Sequence, residues 1–219
     1  MRNSILIVTL SLILSGCGGS YIDSKIKYDN DLPKQDSNTK NTQKKSANNQ
    51  AQSELDKVPQ ISQEEKERFL DAINSARADT QDCGEYGVFP PAPPLKWSDE
   101  LYKAAYEHTQ DMALNGIVEH DGTNSDTDWT AQKLKLGRGS HFYERIVNNG
   151  YYEYWIVEEN VAGGTHFDNP EVVVQAWLDS PGHCKNLMNK DVKEVGMAHV
   201  KANTKYIHYW SQEFGLRDN

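Results

Sequence analysis

Residues 180–188 read SPGHCKNLM, and in them a histidine and a cysteine stand side by side. An adjacent imidazole and thiol can be a nucleophile with its base, part of a metal site, or half of a disulfide beside an unrelated ligand. Ser180 adds a fourth arrangement, a hydroxyl nucleophile with His183 as its base. That pair would have to act across Pro181, and nothing nearby identifies an oxyanion hole, so it is the weakest of the four. Choosing among the rest depends on the other two cysteines, Cys17 and Cys83, and on what else can meet His183 in space.

Cys17 is accounted for by its surroundings. Arg2 precedes an apolar run from Ile5 to Leu14, too short to span a bilayer as a helix and suited to the core of an export signal. The run ends in Leu14-Ser15-Gly16-Cys17, which looks like the bacterial lipobox, where cleavage falls before an acylated cysteine. Residues 1–16 are therefore expected to be a lipoprotein signal peptide, with the membrane reached through lipid on Cys17. Two or three acyl chains, at about 0.8 kcal/mol per buried CH2, anchor a chain stably. Gly18 is not the aspartate that retains lipoproteins at an inner membrane, so in a cell with two membranes the outer one is expected. Up to residue 60 the chain is rich in Asn, Gln, Ser, Asp and Lys and poor in large apolar residues. Such a segment cannot bury enough surface to offset its chain entropy, so 17–60 reads as the lipidated cysteine and a disordered tether. As a flexible coil it reaches roughly 35–40 Å. In an exported chain the remaining pair, Cys83 and Cys184, is expected to form a disulfide. The loop it closes, about 100 residues, corresponds to up to roughly 4–5 kcal/mol in the chain-entropy model.

Residues 61–219 are enough for one domain with a real core. The chain carries 23 Lys+Arg against 32 Asp+Glu, and the acidic excess lies in this stretch. No nucleic acid is expected as a partner. Ser62 and Glu65 have capping-box spacing ahead of Phe69, Leu70, Ile73 and Ala76, which predicts a helix over 63–80. Residues 81–97, with the run PPAPP, read as an extended loop. Ser98 caps a second helix whose buried stripe includes His108, read as a packed, hydrogen-bonded histidine, and Asn115-Gly116 ends it. The stretch 124–149, broken by Gly137 and Gly139, suggests two short helices. A strand follows over 151–162. Asn169-Pro170 then starts a helix that Pro181 stops. Two strands, about 192–201 and 204–215 with a turn at Ala202-Asn203, close the chain. Helices early and strands late argue an α+β domain with helices packed on an antiparallel sheet.

Seven of these stretches, in order, resemble one family. They are PPLKWSDEL (93–101), AAYEHTQDMA (104–113), EH (119–120), EENVAGG (158–164), AWLDSPGHCKNLM (176–188), EVGMAHV (194–200) and YWSQEFG (209–215). Together they resemble the CAP superfamily of cysteine-rich secretory proteins, antigen 5 and pathogenesis-related proteins, in its bacterial branch. The resemblance implies a three-layer α-β-α sandwich for 61–219. It also implies a central cleft in which two histidines and two glutamates meet and can hold a divalent metal. Carried over by position, the histidines fall on His120 and His183 and one glutamate on Glu159; the other falls on Ser180, so the tetrad is incomplete.

Two imidazoles are a plausible start for zinc or a similar cation, with water filling open positions. His120 and His183 are thus the candidate metal ligands, and Glu159 and His183 the candidate catalytic groups. The spacing 120, 159, 183 is too long to prove proximity, and the same residues can form a purely structural polar cluster. Two functions are weighed. One is a membrane-anchored binding module for a lipid, cell-wall component or protein. The other is a metal-dependent, peptidase-like hydrolase with Glu159 as general base, disfavoured by the missing carboxylate at Ser180. His141, His166, His199 and His208 read as surface or packing residues. Trp129, Phe142 and Tyr143, in a segment longer than the usual bacterial pattern, are expected at the cleft mouth.

Overall fold

The computed structural model describes residues 58–217 and, apart from them, the two-residue strand Ile22–Asp23. The expected signal peptide, Cys17 and nearly all of the tether lie outside the described residues. In chain order the elements are β1 (Ile22–Asp23), α1 (Gln63–Arg77), β2 (Gln81–Asp82), β3 (Val88–Phe89), β4 (Lys96–Trp97), α2 (Asp99–Asn115), α3 (Trp129–Leu134), α4 (Phe142–Asn148), β5 (Tyr154–Gly164), α5 (Pro170–Leu178), α6 (Pro181–Leu187), β6 (Glu194–Lys201) and β7 (His208–Arg217).

Local signals set the helix starts. The Ser62 hydroxyl accepts from the Glu65 amide at 3.1 Å and the Ser98 hydroxyl from the Leu101 amide at 3.3 Å. Asn169 accepts from the Val172 amide at 3.0 Å, with Pro170 in the first turn of α5. Gly116, at φ 66°, closes α2 in the left-handed conformation that glycine adopts without strain. Pro181 does stop α5, but it also opens α6, because its fixed φ suits a first helical position. His183 and Cys184 therefore stand on a short helix rather than in a turn. The stretch 81–97 is not wholly irregular either: β2 and β3 form a small hairpin and β4 joins the main sheet.

The main sheet has the order β1-β5-β7-β6-β4. Its three long strands are antiparallel, as expected, but β4 runs parallel to β6, so the sheet is mixed at that edge. Alternation along β5 divides the core. Val157 and Val161 pack with α2 and α4, whereas Ile156 and Ala162 pack with α1 and α5. Phe69 and Ile73 of α1, Trp177 of α5 and Trp210 and Phe214 of β7 fill the second face. The result is an α+β sandwich with helices on both faces of the sheet. Gly196 in β6 is part of this packing. A Cβ there would fall 2.0 Å from the Tyr102 amide nitrogen, so the first turn of α2 rests directly on strand backbone. The Cys83–Cys184 disulfide forms, with its Cα atoms 5.4 Å apart, and ties α6 to the segment after α1. The packed unit begins slightly before residue 61: Val58 sits against the cluster of Tyr102 and Ala105, and Tyr102 donates to the Pro59 carbonyl at 3.0 Å.

Candidate functional site

Glu159 lies in the middle of β5 on the face that meets α2 and α4, and is fully buried. One oxygen accepts from His120 Nδ1 at 2.8 Å and the other from an Arg145 terminal nitrogen at 2.6 Å. The same Arg145 nitrogen also donates to the His120 carbonyl at 2.9 Å, and the second terminal nitrogen to the Ser140 carbonyl at 2.6 Å. His108 of α2 stands 3.8 Å from Glu159 and bonds the Glu119 carbonyl at 2.8 Å. It is the packed, hydrogen-bonded histidine expected from its stripe, and it also belongs to this cluster.

The loop that brings His120 and Arg145 together is itself tightly built. Asp128 accepts from the Ser140 amide at 2.9 Å and from the Ser140 hydroxyl at 2.7 Å. The Gly122 amide donates to the Ser140 carbonyl at 2.8 Å. At Gly139 a Cβ would fall 1.8 Å from the Gly122 carbonyl oxygen, so only glycine permits this crossing. Ser140, held in this way, presents its carbonyl to Arg145.

His183 reaches the same place from the opposite layer. Its helix lies over the other face, where the Asn160 side chain donates to the His183 carbonyl at 3.2 Å and Asn186 donates to the Glu159 carbonyl at 3.1 Å. The His120 and His183 rings nevertheless stand 6.4 Å apart, centroid to centroid. His120 Nε2 and both ring nitrogens of His183 are buried without a hydrogen-bond partner. Such orphaned atoms in a polar pocket call for a ligand, an ion or water.

The charges are unevenly arranged. Burial would push the Glu159 carboxyl up, but the Arg145 guanidinium, with His108 and His120, overrides it and holds the group well below the usual carboxylate range. Burial works against protonated His120, and the bond to Glu159 outweighs it, so its pKa is raised. His183 is pushed down to about 4 by burial, with His120 adding to the effect. Glu213 of β7 stands opposite Glu159 in the strand pair. Burial, then the Glu159 charge, raises its pKa well above the ordinary carboxyl value. No donor reaches either of its oxygens.

The site thus unites His120, Glu159 and His183 as the sequence suggested. Ser180 caps α6 without a side-chain cap bond, and neither His183 nitrogen bonds it. The candidate base Glu159 is bonded to Arg145 and His120 and held below the usual carboxylate range, which makes it a weak base. Phe142, expected at the cleft mouth, is instead core beside Leu101 and Ile146. Tyr143 is half-buried and stacks on His141, which pairs with Asp121 at 2.7 Å. His166 packs edge-on against Phe167, and His199 stacks between His208 and Trp210. Arg145 and Glu213 had no signal in spacing; only the three-dimensional register of 124–149 against β5 and of β5 against β7 reveals them.

A divalent ion fits this arrangement only in part. The unpartnered imidazole nitrogens suit one, whereas Glu159 is already committed. Among the described residues no three of His, Cys, Asp and Glu converge as ligands. His120 and His183 would be the protein's contribution, with water completing the shell.

An α-β-α sandwich with a two-histidine cleft beside β5 is the class of protein that fold and site define. The chain belongs to the CAP, or cysteine-rich secretory protein, family, whose family model matches residues 70–214. It is similar to uncharacterized protein YkwD of Bacillus subtilis, with 28% identity over 121 residues, 55% of this chain and 39% of that protein. It is also similar to uncharacterized membrane protein YlbC of the same organism, with 26% identity over 103 residues, 47% of this chain and 25% of that one. The match spans less than half the length of either curated relative. Among solved structures, an extracellular SCP-domain protein of Bacillus anthracis aligns at a TM-score of 0.48 and 20% identity, over 74% of this chain and 45% of that one.

Proposed function

We propose that this chain is an extracytoplasmic binding module, anchored to the cell envelope through lipid on Cys17, whose cleft holds a divalent cation between His120 and His183. One observation carries the reading: a buried imidazole, His183, and a partly buried one, His120, face each other from opposite layers with buried, unpartnered nitrogens, and Glu159 fixes the tautomer of His120 by accepting from its Nδ1. A bound ion would supply a Lewis-acidic point for a lipid, cell-wall or protein ligand. The chain's own residues orient the imidazoles and neutralise Glu159. The hydrolase alternative has less support, because Glu159 is held below the usual carboxylate range by Arg145, which leaves it a weak base. Metal analysis of the protein after loading with Zn2+, beside His120→Ala and His183→Ala, tests the reading. One ion per chain, lost in both variants, is expected; no retained ion in the wild type overturns it.

A further inference from the structure

β7 lies along β5 on one side. On the other side the chain supplies its own neighbour: β1 pairs antiparallel with β5, Ile22 opposite Val157 and Asp23 opposite Ile156. This strand comes from the segment that precedes the packed unit, near the expected lipid attachment at Cys17. The sequence favours a strand at this place. Tyr21, Ile22, Ile26 and Tyr28, all β-favouring, fall together, whereas residues 33–54 hold no aromatic, Ile, Val or Leu. A short extended segment laid on an open strand is held by main-chain hydrogen bonds, the same physics that lets strand-adding peptides be recognised.

The position of the pairing constrains the whole domain. Ile22 is five residues from Cys17, and five residues span at most about 17 Å however they run. On β5, Val157 is two residues, about 7 Å of strand, from Glu159, whose carboxylate holds His120 at 2.8 Å. While β1 is paired, residue 17 therefore lies within roughly 25 Å of Glu159. Without the pairing, the reach of 17–60 as a coil is roughly 35–40 Å. The acidic excess of the domain gives it no attraction to an anionic bilayer, so chain connection sets its height.

Resting on the lipid anchor proposed above, we infer that β1 is a latch. Paired with β5, it draws the domain down so that the His120–His183 cleft meets ligands presented at the bilayer surface. Released, it lets the domain stand off by the length of its tether.

Two measurements test this. In the unacylated full chain, Cys17→Ser, the pair Asp23→Cys and Ile156→Cys should oxidise to a disulfide, since facing Cα atoms of an antiparallel pair stand about 4.5–5.5 Å apart. Lys34→Cys with Ile156→Cys is the control and should cross-link far less. In the acylated protein on phosphatidylcholine–phosphatidylglycerol vesicles, a donor dye on the exposed Tyr152→Cys reports height by energy transfer to an acceptor on the lipid headgroups. Ile22→Pro with Asp23→Pro removes both amide donors of β1 outside the packed unit, and transfer should fall about twofold or more as the free reach is restored. Cross-linking no better than the Lys34→Cys control overturns the latch whether or not the chain carries lipid. Cross-linking with transfer unchanged by the prolines overturns the claim that the latch sets the height. A chain that carries no acyl group by mass spectrometry, or does not stay with vesicles, overturns the anchoring reading and the membrane role with it, while the cross-link still decides the pairing.

Discussion

Arg145 and Glu159 are a fully buried ion pair, and their removal one at a time and together gives a sharp expectation. Arg145→Met leaves the fully buried Glu159 carboxylate without its main neutralising charge. Glu159→Gln leaves the guanidinium buried without its direct counter-ion, beside carbonyls and an amide, with only the more distant Glu213 and Glu107 carboxyls near it. Breaking a buried pair from either side costs about 3–5 kcal/mol, because an uncompensated charge remains. The double variant removes both charges, so its charge penalty vanishes. What remains is the loss of donors to the Ser140 and His120 carbonyls, about 1–3 kcal/mol for a buried group left unpaired. The singles should therefore sum to about 6–10 kcal/mol, whereas the double should lose only about 2–6. Urea denaturation of the four proteins, with matching slopes as the check on two-state behaviour, measures the coupling. A double variant whose loss equals the sum of the singles would refute the claim that charge compensation is what the pair provides.

Other expectations follow from features away from that pair. Glu158 is buried with one oxygen unpartnered, and burial lifts its carboxyl to about 7 against weaker pulls from Asn189, Lys185 and Arg77. Its folded value lies above the unfolded 4.5, so the folded state keeps a proton the unfolded chain has released, and stability falls as pH rises from about 4.5 through 7. Glu158→Gln should flatten that slope and stabilise by up to about 3 kcal/mol at pH 8; an unchanged slope in melts from pH 5 to 8 argues against it. Gly196→Ala should cost about 3 kcal/mol or more, since the new methyl meets the Tyr102 backbone rather than a movable side chain; thermal melting within a degree of wild type would contradict this. Replacing both Cys83 and Cys184 by alanine should cost about 2–5 kcal/mol in urea denaturation and lower affinity at His183, the neighbour on α6. Equal ion binding after the bridge is removed would show that the bridge does not hold that histidine.

The sequence was legible where the relevant physics is local. Ser62, Ser98 and Asn169-Pro170 mark helix starts with hydrogen bonds that span only three residues, and each is found in place. The disulfide was readable from cysteine number and export signal. His120, Glu159 and His183 were reachable through the family resemblance, not through their spacing. Arg145 was not legible: it sits in a weakly patterned stretch, and its meaning comes from Glu159, Ser140 and His120 converging on it. Glu213 was hidden for a related reason, since its raised pKa depends on burial and on facing another carboxylate across a strand pair. The parallel pairing of β4 with β6 connects segments about a hundred residues apart, and a two-residue strand has no periodicity to read.

The meeting of His120 and His183 beside β5 has a consequence for the strand itself. A stretch of strand without a neighbour offers unpaired amides and carbonyls to any passing extended chain, and is a seed for self-association. Here β1 pairs with β5 only at Ile156 and Val157; beyond that pairing the strand is buried as far as Ala162, with Asn186 of α6 on the Glu159 carbonyl and His120 on its carboxylate. The residues that build the cleft therefore also act as a guard rail. A ligand that fastens the two histidines together would be expected to keep neighbouring copies from zipping onto one another.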